Sequence, residues 1–414
     1  MGLVVTDVTL GGSVVGVRCE DGRIAEIDAD VAPTRGDEVV DGTGLAIVPG
    51  LINAHTHAAM TLFRGFADDL PLMEWLENHI WPAEKRLRAE DVYWGTRLAC
   101  LEMIRTGTVA FWDMYWHPEA VARAAEDAGL RATVATPLID GDDAARARAD
   151  AEAALGCVEA SASGRVVAGF APHAIYTVGP ESLRWVSKRA ESLEATIQIH
   201  LSETRHEVEA CLAEHGVRPA VHLDRAGLLG PRTIVAHGVW LDEAELDLIA
   251  ERQATVVTNP VANLKLAVGG LFPYPAARER GVQVGIGTDG AGSNNSLDLF
   301  SDLKTFALMQ KNAAADPAVI TAGEALALGR GESSKLLRSP ALVVGGLADF
   351  LLVRLRSPEL ALGTLDAGLV YAASGSIVDS TVVAGRVLMR GGVLEGEEEI
   401  LARARECATS LGIL

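Results

Sequence analysis

The chain has 414 residues, 49% of them hydrophobic, with 36 basic against 56 acidic residues and a net charge of −20. That length suits one (β/α) barrel of roughly 250 residues plus a second, smaller unit, and the apolar content excludes a disordered chain. The negative balance excludes nucleic acid and anionic membranes as general partners, and no run of about 18 apolar residues is present to span a bilayer.

In chain order, the first 48 residues read as short strands, with residues 14–18 and 23–27 flanking the hairpin-like turn Glu20-Asp21-Gly22. No basic segment with a cleavage site precedes them, so no signal peptide is expected. The apolar run 45–52 follows and leads into His55-Thr56-His57. Two residues apart on a strand, these imidazoles project to one side and form a pair able to hold a metal ion.

Short apolar runs then alternate with longer Ala/Glu/Arg-rich amphipathic stretches. The runs cover residues 109–112, 132–135, 166–170, 196–200, 233–237, 255–258 and 282–287; the stretches cover 89–105, 118–128, 144–160, 181–193, 207–215 and 242–251. Such alternation predicts a parallel sheet with helices outside it. With the opening strand, eight barrel strands are expected. Residues 140–151 are polar enough to read as a mobile loop. Strand-like runs return at 349–353, 380–384 and 387–389, before the turn residues Gly391-Gly392. The fold expected is therefore α/β: a distorted (β/α)8 TIM barrel over 49–340, with a small β-sandwich built from residues 1–48 and 341–414.

Several apolar runs end in chemistry-bearing residues, where barrel enzymes keep their sites. Residues 166–170 lead to His173; 196–199 end in His200, with Glu203 three residues on; 233–236 end in His237; 282–287 lead to Asp289. Counting His55 and His57, five of the ten histidines occupy such ends. The other five (His79, His117, His206, His215 and His222) read as surface or capping residues. The five cysteines (Cys19, Cys100, Cys157, Cys211 and Cys407) include no CxxC pair, which argues against a cysteine zinc site or a disulfide framework and for reduced thiols in the cytoplasm.

Three familiar motif readings are set aside. Gly285-Ile286-Gly287-Thr288-Asp289-Gly290 satisfies GxGxxG but runs into loop residues, whereas a dinucleotide fingerprint opens a helix. The cysteine-based deaminase signature is absent, and His206-Glu207 does not extend to HExxH.

The segment Asn53-Ala54-His55-Thr56-His57-Ala58-Ala59-Met60-Thr61-Leu62-Phe63-Arg64-Gly65 resembles the opening motif of the amidohydrolase superfamily, and within it the 5′-methylthioadenosine/S-adenosylhomocysteine deaminase group and its triazine-hydrolase relatives. The likeness extends through Trp81-Pro82-Ala83-Glu84, Pro172-His173-Ala174-Ile175-Tyr176-Thr177, His200-Leu201-Ser202-Glu203-Thr204, Asn259-Pro260-Val261-Ala262-Asn263-Leu264-Lys265-Leu266 and the stretch from Gly287 to Asn295. By that resemblance His55, His57, His200 and Asp289 bind one divalent metal ion, zinc or else iron. Glu203 and His237 form the acid/base pair, with Asp289 able to take a proton as well. Glu84 would meet ribose hydroxyls, His173 the substrate ring, and Trp75 a wall of the pocket.

The resemblance implies hydrolytic deamination of an adenosine-type nucleoside: 5′-methylthioadenosine, adenosine or S-adenosylhomocysteine. The alternative is an aminohydrolase or chlorohydrolase of a pterin, guanine-like base or triazine. Where relatives that act on the homocysteine adduct carry an arginine, this chain has Ala135-Thr136-Pro137. Arg146 or Arg148 is the remaining candidate for a tail carboxylate, and a neutral tail is favoured. A two-metal, lysine-bridged hydantoinase arrangement finds only Lys265 near a strand end, and an intact ligand set argues against an inactive scaffold. The partners expected are a small nucleoside and, as a family expectation, further copies of the chain.

Overall fold

The computed structural model describes residues 2–160 and 163–414. The amino-terminal strands are β1 (Leu3–Leu10), β2 (Ser13–Glu20), β3 (Arg23–Asp28), β4 (Glu38–Asp41) and β5 (Leu45–Pro49). The central strands are β6 (Leu51–Thr56), β7 (Thr108–Met114), β8 (Arg131–Ala135), β9 (Pro137–Leu138), β10 (Val166–Pro172), β11 (Thr196–Leu201), β12 (Thr233–His237), β13 (Thr255–Thr258) and β14 (Gln283–Ile286). The last three are β15 (Phe350–Arg354), β16 (Val378–Val383) and β17 (Arg386–Met389).

The central strands form a nearly closed parallel barrel in the order β14-β13-β12-β11-β10-β8-β7-β6, with short β9 beside β10. Strands β6, β12 and β13 are buried at every position, as expected of parallel strands covered on both faces. Among the described residues no backbone ladder joins β6 to β14. That seam is closed by specific groups instead. The Thr288 N–H donates to Asn53 Oδ1 (3.0 Å), Asn53 Nδ2 donates to Thr288 Oγ1 (2.7 Å), and the Asp289 N–H donates to the His55 carbonyl (3.0 Å). The approach is close enough that a Cβ on Gly287 would meet the His55 carbonyl at 2.7 Å and its nitrogen at 2.8 Å; only glycine fits there.

The terminal segments make a second, mainly antiparallel sheet of eight strands, ordered β17-β16-β15-β5-β1-β2-β3 with β4 beside β1. The run 45–52 is one sequence feature but two elements: it divides at Gly50, β5 joining the terminal sheet and β6 the barrel. Alternation along β5 and β15 serves two cores. Ile47, Phe350 and Leu352 pack with Leu3, Val5 and Val17 inside the terminal unit. Their neighbours Ala46, Val48, Leu351 and Val353 join the core that contains the barrel helices. Arg131 on β8 grips Asp349 with both Nε (2.6 Å) and Nη2 (3.2 Å), tying barrel to sheet.

Three expectations are corrected. Of the two overlapping expectations for this region, the amphipathic stretch 144–160 is a helix with those bounds, and the loop reading of 140–151 is confined to residues 140–143, where Asp143 Oδ1 accepts the Arg146 N–H (3.0 Å) at the helix start. A helix at Glu397–Ser410 went unforeseen; it packs on the barrel helix Ala89–Arg105 and contributes Ala404, Cys407 and Leu411 to the large core. His222 is buried, its ring stacked on His215 at 4.1 Å.

Candidate active site

The residues picked from strand ends converge at one end of the barrel. The ring centroid of His55 lies 4.9 Å from that of His57, 5.0 Å from His200 and 5.6 Å from His237. Asp289 Oδ1 reaches His57 Nε2 at 3.2 Å and His55 Nε2 at 3.5 Å. Ligand atoms of His55, His57 and His200 all lie within 4.8 Å of one another, as do those of His55, His237 and Asp289.

Each imidazole of the cluster is oriented from behind. His55 Nδ1 faces Gln198 Oε1 (2.6 Å), while Gln198 Nε2 is spent on the Ala54 carbonyl (2.8 Å). His57 Nδ1 faces the Met114 carbonyl (2.7 Å), and His200 Nδ1 the His173 carbonyl (2.8 Å). With these acceptors the protons are assigned to Nδ1, and three Nε2 lone pairs point inward. Ser293 Oγ donates to Asp289 Oδ2 (2.6 Å), leaving Oδ1 toward the histidines.

The donor set fits a divalent cation. His55 Nε2 is buried without a hydrogen-bond partner, an uncommon and costly condition for a polar atom. Burial lowers the His55 pKa to about 4. At His57 burial acts in the same sense, but hydrogen bonding and charge from Asp289 outweigh it and the pKa rises to about 9. The Asp289 carboxylate thus draws positive charge to the point where the imidazole lone pairs meet, as nitrogen and oxygen ligands do in catalytic metal sites.

Around this cluster the chain bends unusually. Ser202 (φ 51°), His237 (φ 72°) and Asp289 (φ 63°) all take the left-handed conformation, which costs energy for non-glycine residues and gathers at functional sites. Glu203 is buried, and desolvation together with the charge of Asp289 raises its pKa to about 8. His237 Nδ1 faces Asn263 Oδ1 at 2.8 Å and Glu203 Oε1 at 3.9 Å.

One cavity opens on the cluster and is lined by His57, His200, His237, Asp289, Glu203, His173, Glu84 and Trp75. Glu84 accepts from Trp116 Nε1 (3.4 Å), and burial raises its pKa. His173 Nδ1 lies 3.0 Å from Thr177 Oγ1, and burial lowers its pKa to about 4. Trp75 is both a core residue and a wall, with its Nε1 donating to the Phe66 carbonyl (3.3 Å).

The arginine candidates are elsewhere. Arg146 is exposed beside Asp150 (3.6 Å) on the outer face of its helix, and Arg148 is occupied by Ser182 Oγ (2.9 Å) and Glu181 (3.0 Å); neither lines the cavity. Helix geometry explains this, since the stretch expected as a loop fixes both side chains against neighbours of their own surface. Sequence reasoning missed Tyr115, Trp116 and Tyr176 as lining residues, and Gln198 as the group behind His55. Gln198 stands two residues before His200 on one strand, so period-two alternation puts both on the same face and could have revealed it.

A profile of the amidohydrolase family matches residues 46–388. This chain belongs to the amidohydrolase family. This amidohydrolase is 44% identical over 419 residues to 5′-deoxyadenosine deaminase of Methanoregula boonei, across 99% of this chain and 95% of that protein. It is 42% identical over 404 residues to 5-methylthioadenosine/S-adenosylhomocysteine deaminase of Desulforudis audaxviator, across 94% and 93%. Among solved structures, an adenosine deaminase from Xanthomonas campestris with bound zinc superposes with a TM-score of 0.91 at 33% identity, covering 100% of this chain and 98% of that one. The zinc complex of an atrazine chlorohydrolase from Arthrobacter aurescens superposes with a TM-score of 0.89 at 21% identity over 98% and 100%, a likeness of fold.

Proposed function

We propose that this amidohydrolase is a metal-dependent deaminase that hydrolyses an adenosine-type nucleoside to the inosine analogue and ammonia. The observation that carries this reading is the pair of carboxyl groups, buried Glu203 and half-buried Glu84, in the same cavity as the histidine–aspartate cluster. The deaminase names of its relatives agree with it.

In this reading His55, His57, His200 and Asp289 hold one Zn2+. When bound, such an ion lowers the pKa of water from 15.7 to about 7, making hydroxide available at neutral pH. Glu203, with a pKa near 8, holds its proton at neutral pH and delivers it to the ring nitrogen as hydroxide adds to the carbon bearing the amino group. Asp289 takes the hydroxyl proton and passes it to the departing amine, and the proton released when the water ionises returns Glu203 to its acid form. The C–N bond breaks, ammonia leaves, and the ring keeps a carbonyl, so nucleoside plus water balances product plus ammonia. His237, protonated on Nδ1 toward Asn263, offers Nε2 to orient the hydroxide. His173 meets the ring and Trp75 walls it.

Glu84 distinguishes a nucleoside from a free base. A carboxylate that accepts two ribose hydroxyls is left unpaired by a free pterin, guanine or triazine, and an unpaired buried charge is costly. With no lysine or arginine lining the cavity, the favoured 5′ substituent is uncharged. Arg146 lies in the neighbouring groove that shares Trp116, Pro137 and Ile139 with the cavity.

Among the described residues no helix is long and apolar enough to cross a membrane, and all five cysteines are free, which agrees with a cytoplasmic protein. A homo-oligomer and a division into a barrel (49–340) and a terminal unit (1–48 plus 341–414) complete the proposal, with the last helix reaching across to the barrel.

Purified protein with measured metal content is to be assayed for ammonia release from adenosine, 5′-deoxyadenosine, methylthioadenosine, S-adenosylhomocysteine, guanine, pterins and triazines. We expect turnover of the nucleosides, abolished by a chelator and restored by zinc, with the neutral-tailed ones fastest. Turnover of free heterocycles alone overturns the nucleoside reading.

A further inference from the structure

Glu207 is buried at the first turn of the helix Arg205–His215, where an acidic residue ordinarily faces solvent. Its carboxylate turns back on the preceding residues. Oε1 accepts the Ser202 N–H at 2.8 Å, and Oε2 accepts the Glu203 N–H at 2.9 Å. Glu207's own N–H is held by Thr204 Oγ1 (3.2 Å), the cap of that helix.

These bonds fall on a strained turn. Ser202 has φ 51°, the left-handed region in which a serine is not held by its own preference. Its carbonyl accepts the Trp240 N–H at 2.8 Å, so the turn is gripped on both sides. This turn sets the direction in which the chain leaves β11 and therefore where the Glu203 side chain points. Both oxygens of Glu207 serve one purpose, each accepting a backbone N–H of the turn, and desolvation in this buried place raises its pKa to about 8.

We infer that Glu207 is a positioning residue whose carboxylate clamps the Ser202–Glu203 turn and thereby aims the Glu203 carboxyl at the substrate ring. Glu207 does not line the cavity that opens on the cluster; it borders the adjoining groove, which Glu203 also lines. It acts through Glu203, so the inference rests on the role proposed above for that residue. Displacing a reacting group by about 1 Å can cost 10²-fold in rate, and this is the scale on which a loosened turn is felt.

The test is a double-mutant cycle on the nucleoside that the wild type turns over fastest, with metal content determined for every variant. Glu207→Gln keeps the shape but can accept only one of the two N–H groups. It is expected to lower kcat about 10–100-fold, with KM within about threefold and metal content at the wild-type level. In a Glu203→Gln background the same change is expected to cost less than about twofold, because the group it positions no longer transfers a proton. Glu207→Asp, which keeps both carboxyl oxygens as acceptors and shortens the reach, should fall between wild type and Glu207→Gln. Wild-type kcat in Glu207→Gln overturns the inference, as do losses that multiply in the double variant or loss of metal from the single one.

Amide hydrogen exchange in the wild type supplies a measure that no unstable variant can remove. The Ser202 and Glu203 amides are expected to exchange slowly, and exchange at the rate of an open loop refutes the clamp. A wild type that deaminates no nucleoside defeats the functional reading, while the exchange result still decides whether the clamp exists.

Discussion

Two seams of the same barrel are built differently. Between β11 and β12 the backbones pair in regular register from Ile197 opposite Thr233 to Leu201 opposite His237. Between β6 and β14 side-chain bonds from Asn53, a hydroxyl of Thr288 and one backbone bond from Asp289 to His55 take the place of a ladder. A ladder repeats one geometry, whereas side-chain closure leaves the chain free to turn. Asp289 uses that freedom: in its left-handed conformation it sets a carboxylate oxygen against both His55 and His57. The regular seam brings His200 and His237 together as rungs of a rigid frame, and the irregular one completes the ligand set.

The comparison is broken most severely at the β11 end. Glu203→Gln keeps size and hydrogen bonding but cannot give up a proton, and it is expected to lower kcat by about 10²–10⁴-fold with metal content unchanged. Steady-state rates and elemental analysis decide this, and near-normal turnover removes Glu203 from the reaction. Next in size is Glu84→Gln, in which a charged acceptor becomes neutral. Its kcat/KM for nucleosides should fall about 10–100-fold, the equivalent of the roughly 1.5–3 kcal/mol carried by hydrogen bonds to charged groups, while any residual action on free bases is unaffected.

The smallest effects separate the seams directly. Asn53→Ala removes both the acceptor for Thr288 N–H and a donor, leaving a buried amide unpaired at about 1–3 kcal/mol. Thermal melting and metal titration should both register it, because the strand that carries Asp289 loses its tie to the strand that carries His55. Ile199→Val, within the β11 ladder and fully buried, should cost about 0.5–1.5 kcal/mol of stability and leave metal affinity unchanged. Equal loss of metal affinity in the two variants would show that the irregular seam has no special part.

The barrel and the cluster were legible because both depend on local pattern. Continuous apolar runs, amphipathic stretches between them, and a histidine or aspartate at the end of several runs place His55, His57, His200, His237 and Asp289 on one rim. What was not legible depends on distant partners. Asn53 meets Thr288 from 235 residues away in the sequence, and nothing near Asn53 announces it. Glu207 looks like an ordinary first-turn acid, since its use follows from the left-handed turn before it. Arg146 and Arg148 are candidates for a tail carboxylate only through the family resemblance, as basic residues in a stretch near the place where relatives carry an arginine. The helix that forms there turns them toward Asp150, Glu181 and Ser182, and a polar sequence does not say which surface it will face. His222 gave no sign of burial because the ring that covers it, His215, comes from the preceding helix.

The division of one apolar run at Gly50 has a consequence for anyone who would separate the two units. Cutting there keeps β5 and β15 together in the terminal sheet, and leaves the barrel helices without the Ala46, Val48, Leu351 and Val353 side chains that cover them. A trimmed barrel would carry an oily scar down its flank, and would be expected to clump before it could be assayed.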